Sequence, residues 1–323
     1  MNIIHIGNYG VGTGITAGLK KLGHNSKVLV PTPHPFGFKE DIILFPNKIP
    51  AHFKTIKIIK TFLFLSLGDM NIFHEHTLNS PLYNVLRLRN PNAKRVYHYQ
   101  FSPTQQDEAN LKEIILRVER KCNKCYSAKF VVYPMDLEVL KNSVWIPLPV
   151  DTETKTIIDP KLEKNEVIVG VGSDFSDKTK RKFLRMDLVH KAIENLENKG
   201  YKIKTLEFKG YKQDDVLEYW KKIDIWLDRF HLGFYGFTTP EAASCSIPIL
   251  CEIDERGEPF VPECPFLRTK PTVESIQSNL EYLLSYSNRE HLGRKCRDYV
   301  IQKHDIVKVA QKCVTEYKRI LDE

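Results

Sequence analysis

The chain has 323 residues, of which 42% are hydrophobic and 27% are charged, a composition that excludes a disordered chain and suits one large or two ordinary domains. No apolar run approaches the roughly 20 residues of a membrane-spanning helix. No signal peptide is recognised, and the seven cysteines suit reduced thiols, so we expect a cytoplasmic protein. The net charge of +8 is concentrated in residues 1–100, which hold 12 Lys and Arg against 4 Asp and Glu. This half is expected to face an acidic partner or a membrane surface.

Short apolar runs alternate with helical patterns in the first half of the chain. Strands are predicted at MNIIHIG, NSKVLVPTP, NIFHEH, KRVYHYQFS, AKFVVYP and SVWIPLPV. Helices are predicted at ITAGLKKLG, at AHFKTIKIIKTFLFLSLG and at QDEANLKEIILRVERKCNKC. Such alternation is typical of a parallel sheet with crossover helices.

The alternating pattern restarts after the polar stretch TETKTIIDPKLEKNE. Strands are predicted at EVIVGVG, KIKTLEFKG, IDIWLDRF and SIPILCEI, with helices at MDLVHKAIENLENKG, DVLEYWKKI and PEAASC between them and further helices at the end. The sequence therefore predicts an α/β protein with two Rossmann-like domains, residues 1–150 and 151–302, that face each other across a cleft. Ligands of such sheets bind outside the carboxyl ends of the strands.

A glycine-rich stretch, HIGNYGVGTGITAGLKKLGH, joins the first predicted strand to the first helix. Gly12, Gly14 and Ala17 satisfy the looser dinucleotide fingerprint G-x-G-x-x-A, which also requires an acidic side chain at the end of the second strand. That strand ends VLVPTPHP and has no such acid. Two interpretations stay open. The glycines either relieve crowding in a tight turn, or Gly12, Thr13 and Gly14 leave room for a substrate at the helix N-terminus.

The stretch DIWLDRFHLGFYGFTTPEAASCSIPIL, residues 224–250, carries the sharpest chemical pattern. A strand ends in the carboxylate of Asp228, a loop of glycine and aromatic residues follows, and Pro240 and Glu241 begin a helix. Backbone N–H groups of Gly236, Phe237, Thr238 and Thr239 would be available to sugar or phosphate oxygens. A neighbouring carboxylate could accept two ribose hydroxyls. The alternative for Glu241 is a favourable interaction with the helix dipole.

This stretch resembles the donor-site motif of retaining, nucleotide-sugar-dependent glycosyltransferases of the GT-B fold and the family-4 type. The motif typically reads E-x-F-G-x-x-x-x-E-A-M-A-x-G-x-P-V-I, and here the residues are G-F-Y-G-F-T-T-P-E-A-A-S-C-S-I-P-I-L. Glu241 matches the second Glu, which in the family grips the ribose of the donor. Gly233 stands in place of the first Glu, which contacts the donor hexose. Some branches of the family carry G-W-Y-G or G-Y-G at this place with an upstream D-Q. The residues Gly233-Phe234-Tyr235-Gly236 and Asp228 look like that variant.

A basic loop follows the first strand of the second half. The segment VGVGSDFSDKTKRKFLRMDLVHKAIENL resembles the family's strand, loop and helix with a basic phosphate-binding pair. The resemblance implies catalytic roles for Lys178 and Lys182 and donor contacts for Ser173, Arg181 and Arg185. A cation there would stabilise the charge that develops on the leaving nucleoside diphosphate. The alternative is a solvated charged loop.

Histidines lie at the carboxyl ends of two predicted strands of the first half. RVYHYQFS resembles the strand that ends in a histidine near the reacting sugar, which implies a catalytic role for His98, and NIFHEHTLNSP resembles D-x-x-H-x-H through His74 and His76. The sequence His74-Glu75-His76 lacks the helical H-E-x-x-H spacing of a metal site. Cys122-x-x-Cys125 lacks partners for zinc. The chain has no D-x-D, which argues against a metal-dependent glycosyltransferase of the other common fold, and we expect no metal site.

The resemblance implies a retaining, metal-independent glycosyltransferase without a cofactor. The second domain would bind a nucleotide-sugar donor and the first a glycan, lipid-linked or protein-linked acceptor, with a last helix of about residues 303–323 packing back on the first domain. The basic stretch 53–65 is either a core helix or an interfacial helix at a membrane. The alternatives are an NAD(P)-dependent sugar-nucleotide enzyme and a non-catalytic binder of nucleic acid or acidic glycan. No motif supports nucleic acid as a partner.

Overall fold

The computed structural model describes most of the chain and leaves several segments aside. The described residues are 1–7, 10–34, 36–43, 68–76, 86, 88, 90–100, 111–138, 140–155, 157–158, 166–172, 185–209, 211–231 and 233–323. The predicted basic helix at 53–65 lies outside them, as does the greater part of the predicted basic loop. The described residues divide into two compact units, Met1–Pro149 with Ile306–Glu323, and Val150–Asp305.

The first unit is built on a seven-stranded parallel sheet. Its strands in chain order are β1 (Asn2–Ile6), β2 (Asn25–Val30), β3 (Ile42–Ile43), β4 (Ile72–Glu75), β5 (Lys94–Tyr99), β6 (Ala128–Val131) and β7 (Val144–Trp145). They lie in the order β3-β2-β1-β4-β5-β6-β7, so the direction of winding reverses between β1 and β4. The described helices of this unit are α1 (Gly10–Lys21), α2 (Leu111–Cys125) and, from the end of the chain, α8 (Ile306–Asp322).

The second unit repeats this architecture with five parallel strands. They are β8 (Val167–Val171), β9 (Ile203–Glu207), β10 (Ile225–Leu227), β11 (Ile249–Cys251) and β12 (Leu267–Arg268), in the order β12-β11-β10-β8-β9. The described helices are α3 (Met186–Asn198), α4 (Val216–Trp220), α5 (Thr238–Ser244), α6 (Val273–Leu283) and α7 (Tyr286–Lys303). Winding reverses between β8 and β10. The carboxyl ends of these two strands are therefore where a ligand of such a sheet binds.

The central strands of both sheets are buried, as strands of parallel sheets with covered faces are expected to be. Strand β4 is buried along its whole length, and β1 is buried apart from its first residue. In the second unit, the apolar side chains of α3 and α6 pack on the central strands in one continuous core. Among the described helices, none combines the length and the apolar composition needed to cross a membrane.

Helices α1 and α8 approach each other unusually closely. A Cβ atom at Gly18 would lie 2.0 Å from the backbone oxygen of Ile306, so only glycine allows this contact. The buried side of α8, with Val309, Tyr317 and Ile320, faces into the first unit. The last helix thus packs on the unit formed by the start of the chain.

Candidate functional site

Asp228 follows β10 at the carboxyl edge of the second sheet, and its carboxylate joins that strand to helix α5. One oxygen accepts the hydroxyl of Thr239 at 2.6 Å and the backbone N–H of Gly236, and the other accepts the N–H of Arg229 at 2.8 Å. The Thr239 hydroxyl in turn accepts the indole N–H of Trp226 at 3.0 Å. Asp228 is 1% exposed. A carboxylate has about four acceptor positions, so these three donors leave little of it for a substrate.

The loop before α5 offers fewer backbone donors than the sequence predicts. The N–H of Gly236 is bound to Asp228, and that of Thr239 donates to the carbonyl of Gly236 at 3.2 Å. The N–H groups of Phe237 and Thr238 have no acceptor in the part of the chain that the structure describes. Both residues are half-buried. These two amides are therefore the ones that a ligand oxygen could reach.

Glu241 lies in the first turn of α5 with its carboxyl group buried. Burial raises the pKa of Glu241, while the charge of Lys155 and a hydrogen bond from the side chain of Gln213 act in the opposite direction. Glu241 is 8% exposed. A carboxylate held this way, beside a cation and an amide, is suited to accepting hydroxyl groups because each such bond replaces lost solvation.

Gly233 cannot be replaced by the glutamate of the family motif without local rearrangement. Its φ is +68°, and a Cβ there would lie 2.1 Å from a carboxylate oxygen of Asp254. Its N–H donates to Glu252 at 3.2 Å and its carbonyl accepts the N–H of Asp254 at 2.9 Å. The carboxylates of Glu252 and Asp254 therefore lie beside Gly233, the position that the first Glu occupies in the motif. The sequence analysis did not single out Glu252, although it directly follows β11.

Arg185 is the member of the predicted basic set that the structure describes. It precedes α3 with a left-handed φ of 58° and is exposed. Burial raises the pKa of Glu252, and the backbone N–H of Gly233 and the charge of Arg185 oppose that shift. Ser173, Lys178, Arg181 and Lys182 lie outside the described residues, so their contacts with a donor stay a prediction.

The predicted glycine loop is helical, because α1 already begins at Gly10. Gly12 and Gly14 lie in its first turns, where a Cβ would be 3.0 Å from Nε2 of His76 and 2.7 Å from Cγ of Pro149, respectively. The hydroxyl of Thr13 donates to the carbonyl of Gly10 at 3.0 Å. The glycines therefore permit close packing within the first unit, and a substrate contact by this segment stays a prediction.

His98 lies inside β5 and is completely buried. Its Nδ1 is 3.1 Å from Nε2 of His74, whose Nδ1 contacts the hydroxyl of Tyr317 on α8 at 2.5 Å. The structure adds His5 of β1, which the sequence analysis missed because only strand pairing brings it to His74. Gln100, just beyond β5 and half-buried, hydrogen-bonds to His76.

The four histidines of this cluster, His5, His74, His76 and His98, are electrically neutral near pH 7. Burial lowers the pKa of His5, His74 and His98 well below the ordinary 6.5, with the neighbouring histidines adding to the shift. Burial also lowers the pKa of His76, to about 3. A neutral imidazole offers one donor and one acceptor nitrogen, so the group is a hydrogen-bonding cluster rather than a cationic patch.

Solved structures of other proteins share this fold along the whole chain. Sucrose-phosphate synthase from Thermosynechococcus elongatus is 15% identical, with a TM-score of 0.66 over all of both chains. Anabaena HepE, solved in complex with UDP and glucose, is 12% identical, with a TM-score of 0.60 over 98% of this chain and 99% of that one. No protein-family model matches the sequence, and no curated protein matches it either. At such identities the likeness defines the fold, which is the mixed α/β fold of GT-B glycosyltransferases, as predicted.

Proposed function

We propose that the chain is a glycosyltransferase that moves a sugar from a nucleotide-sugar donor to a glycan, a lipid-linked or a protein-linked acceptor. The observation that carries the proposal is the buried carboxylate of Glu241, at the start of α5 and beside the reversal of the second sheet. HepE, which shares the fold, was solved with UDP and glucose. A nucleotide-sugar is the ligand class that a GT-B fold with such a carboxylate fits best.

In this proposal the second unit binds the donor. Glu241 accepts the ribose hydroxyls, and the N–H groups of Phe237 and Thr238 point toward donor oxygens. Asp228 holds this loop in place through its bonds to Gly236 and Thr239. The cations of the loop before α3, namely Lys178, Arg181, Lys182 and Arg185 with the hydroxyl of Ser173, stabilise the departing diphosphate, whose negative charge increases as the glycosidic bond breaks.

The first unit takes the acceptor in this proposal, through the start of α1 with Gly12, Thr13 and Gly14. The complete burial of His98 makes it a positioning residue that acts through its neighbours. Transfer proceeds with retention of configuration, without a metal or cofactor at the donor. The basic surplus of residues 1–100 favours contact with an anionic membrane surface from the cytoplasmic side, where a lipid-linked acceptor would be found.

The test is nucleotide release from a panel of sugar donors, as the nucleoside diphosphate from UDP-, GDP- and ADP-sugars and as CMP from CMP-sugars, comparing the wild type with Glu241→Gln. The variant keeps the shape of the side chain and loses the charge. Because a hydrogen bond to a charged group contributes about 1.5–3 kcal/mol, we expect kcat/KM to fall by about tenfold or more. Glu197→Gln, at an exposed position of α3, is the matched control. Full activity of Glu241→Gln with every accepted donor would refute the donor-site assignment.

A further inference from the structure

Four imidazoles share one face of the first sheet. His5 on β1 is the register partner of His74 on β4, and His76 follows two residues later. Since alternate residues of a strand point to the same face, His74 and His76 lie on the same side. The register of β4 with β5 places His98 level with His76. In every pair of these rings except His5 with His98, the ring centroids are 4.4–5.3 Å apart.

The nitrogens of these rings approach one another closely. Nδ1 of His5 is 3.0 Å from Nε2 of His76, and Nε2 of His74 is 3.1 Å from Nδ1 of His98. One ring nitrogen from each of His5, His74 and His76 lies within 4.8 Å of the other two. Glu75 points to the opposite face and pairs there with Arg95. The converging atoms therefore all belong to imidazoles.

The outer nitrogens of two rings are held by other polar groups. Nδ1 of His74 contacts the hydroxyl of Tyr317, and Nδ1 of His76 contacts the amide of Gln100. In a metal-bound histidine the second ring nitrogen donates its N–H to a polar neighbour. The hydroxyl of Tyr317 can accept such a bond, and Gln100 can accept one once its side-chain amide is turned to present the oxygen in place of the nitrogen. This leaves Nε2 of both His74 and His76 directed into the cluster.

Two further observations indicate that something belongs beside these rings. Nε2 of His5 and Nε2 of His98 are buried and have no hydrogen-bond partner among the described residues, and a buried polar atom of this kind calls for a water or an ion. In addition, a Cβ at Gly12 would lie 3.0 Å from Nε2 of His76. Glycine therefore leaves this nitrogen without a side chain pressed against it.

We propose that His5, His74 and His76 bind one divalent first-row transition ion, Zn²⁺ above all, with His98 beside them. Imidazole ligands favour Zn²⁺, Cu²⁺ or Ni²⁺ over Mg²⁺ or Ca²⁺, which prefer oxygen. The rings of His74 and His76 are stacked, with 7° between their planes. The lone pair of an imidazole nitrogen lies in the plane of its ring, so two parallel rings cannot both direct a lone pair at one ion. Binding the ion therefore requires the ring of His74 or that of His76 to tilt. The ion stabilises the first unit and takes no part in donor binding, so this proposal does not rest on the proposed function.

The test is metal content and stability of the full chain, prepared without a histidine tag and stripped with a chelator. All proteins in this test carry Cys125→Ser, because Cys125 is the exposed thiol among the described cysteines and could itself bind Zn²⁺. The stripped chain is reloaded with Zn²⁺ and dialysed, and we expect it to retain one Zn²⁺ per chain, measured by mass spectrometry of the metal. A higher unfolding temperature should appear with Zn²⁺ and not with Mg²⁺. With Co²⁺ in place of Zn²⁺, the visible spectrum should show nitrogen ligation without thiolate charge-transfer bands.

Variants separate the site from adventitious binding. His76→Gln should abolish retention, whereas His190→Gln and His291→Gln, at exposed positions of the second unit, should not alter it. Tyr317→Phe keeps all ligands and removes the outer hydrogen bond, so affinity should fall by about 10–100-fold. Zn²⁺ content equal in the wild type and in folded His76→Gln would overturn the proposal. So would an unfolding temperature of the wild type that does not respond to Zn²⁺.

Discussion

The buried carboxylate of Glu241 lowers the stability of the folded chain at neutral pH. Burial raises its pKa above the ordinary 4.5, so over the window above pH 4.5 the folded state binds more protons than the unfolded state. The free energy of unfolding therefore falls as the pH rises through this window. Glu241→Gln has no such titration. We expect this variant to be more stable than the wild type at pH 7, with the difference shrinking as the pH is lowered toward 4.5.

Urea unfolding followed by tryptophan fluorescence measures this effect. The buried Trp220 and Trp226 both lie in the second unit, residues 150–305, which also contains Glu241. Glu197→Gln, whose side chain is exposed, should stay within about 0.5 kcal/mol of the wild type at both pH values. A Glu241→Gln variant that is less stable than the wild type at pH 7 would show that the carboxylate is needed for the fold. Gained stability with lost activity is the combination expected of a binding residue.

Single residues show where the sequence could and could not predict the site. A local motif predicts that Glu241 binds the donor, which stays a prediction, and that it lies at the start of a helix, which the structure confirms. The sequence could not predict that Asp228 holds the loop before α5 in place. The Thr239 hydroxyl is brought to the carboxylate of Asp228 only by the fold of that loop. His5 and Tyr317 were missed since strand pairing and helix packing join them to His74 across 69 and 243 positions of the chain.

At the scale of elements, the contact between α1 and α8 predicts that a glycine-to-alanine substitution in a helix lowers the free energy of unfolding, the opposite of its ordinary effect. Alanine in place of a helical glycine ordinarily stabilises a helix by about 1 kcal/mol. At Gly18 the added Cβ would lie 2.0 Å from the backbone oxygen of Ile306 and would separate the helices. We expect Gly18→Ala to lower the free energy of unfolding by about 1–3 kcal/mol, measured by thermal denaturation followed by circular dichroism.

Lys21→Ala, an exposed change in the same helix, serves as the control and should have an effect within about 0.5 kcal/mol. Stabilisation by Gly18→Ala, or an effect no larger than that of Lys21→Ala, would contradict the close packing of α1 on α8.

Elements with a clear period were predicted well, and those without one were not. The strand NIIHI and the helix MDLVHKAIENLEN correspond closely to the structure, because their apolar residues follow the period of the element. The sequence predicts a loop at the glycine-rich start of α1, since glycine is a weak helix former. Packing against His76, Pro149 and Ile306 decides the outcome there. The two-residue strands β3 and β12 are too short to show any period.

At the scale of the whole molecule, the alternation of strands and helices was sufficient to predict the fold class. Two parallel sheets with crossover helices are what the structure contains, and full-length matches to two solved GT-B structures confirm the architecture. Donor base, sugar and acceptor depend on a few contacts of side chains and backbone. These contacts are set by local geometry rather than by the pattern of elements, so the fold does not specify them.

The most direct test of the central claim is a thermal-shift panel on the full chain. It should include UDP, GDP, ADP, CMP and their sugars, and, tested separately as the alternative ligands, NADH, NADPH and duplex DNA. A ligand that binds only the folded state at 100 times its Kd stabilises that state by about 2.7 kcal/mol. The account predicts that at least one nucleotide-sugar raises the unfolding temperature of the wild type and raises that of Glu241→Gln far less. A shift with the nicotinamide dinucleotides or DNA, and none with any nucleotide or nucleotide-sugar, would contradict it.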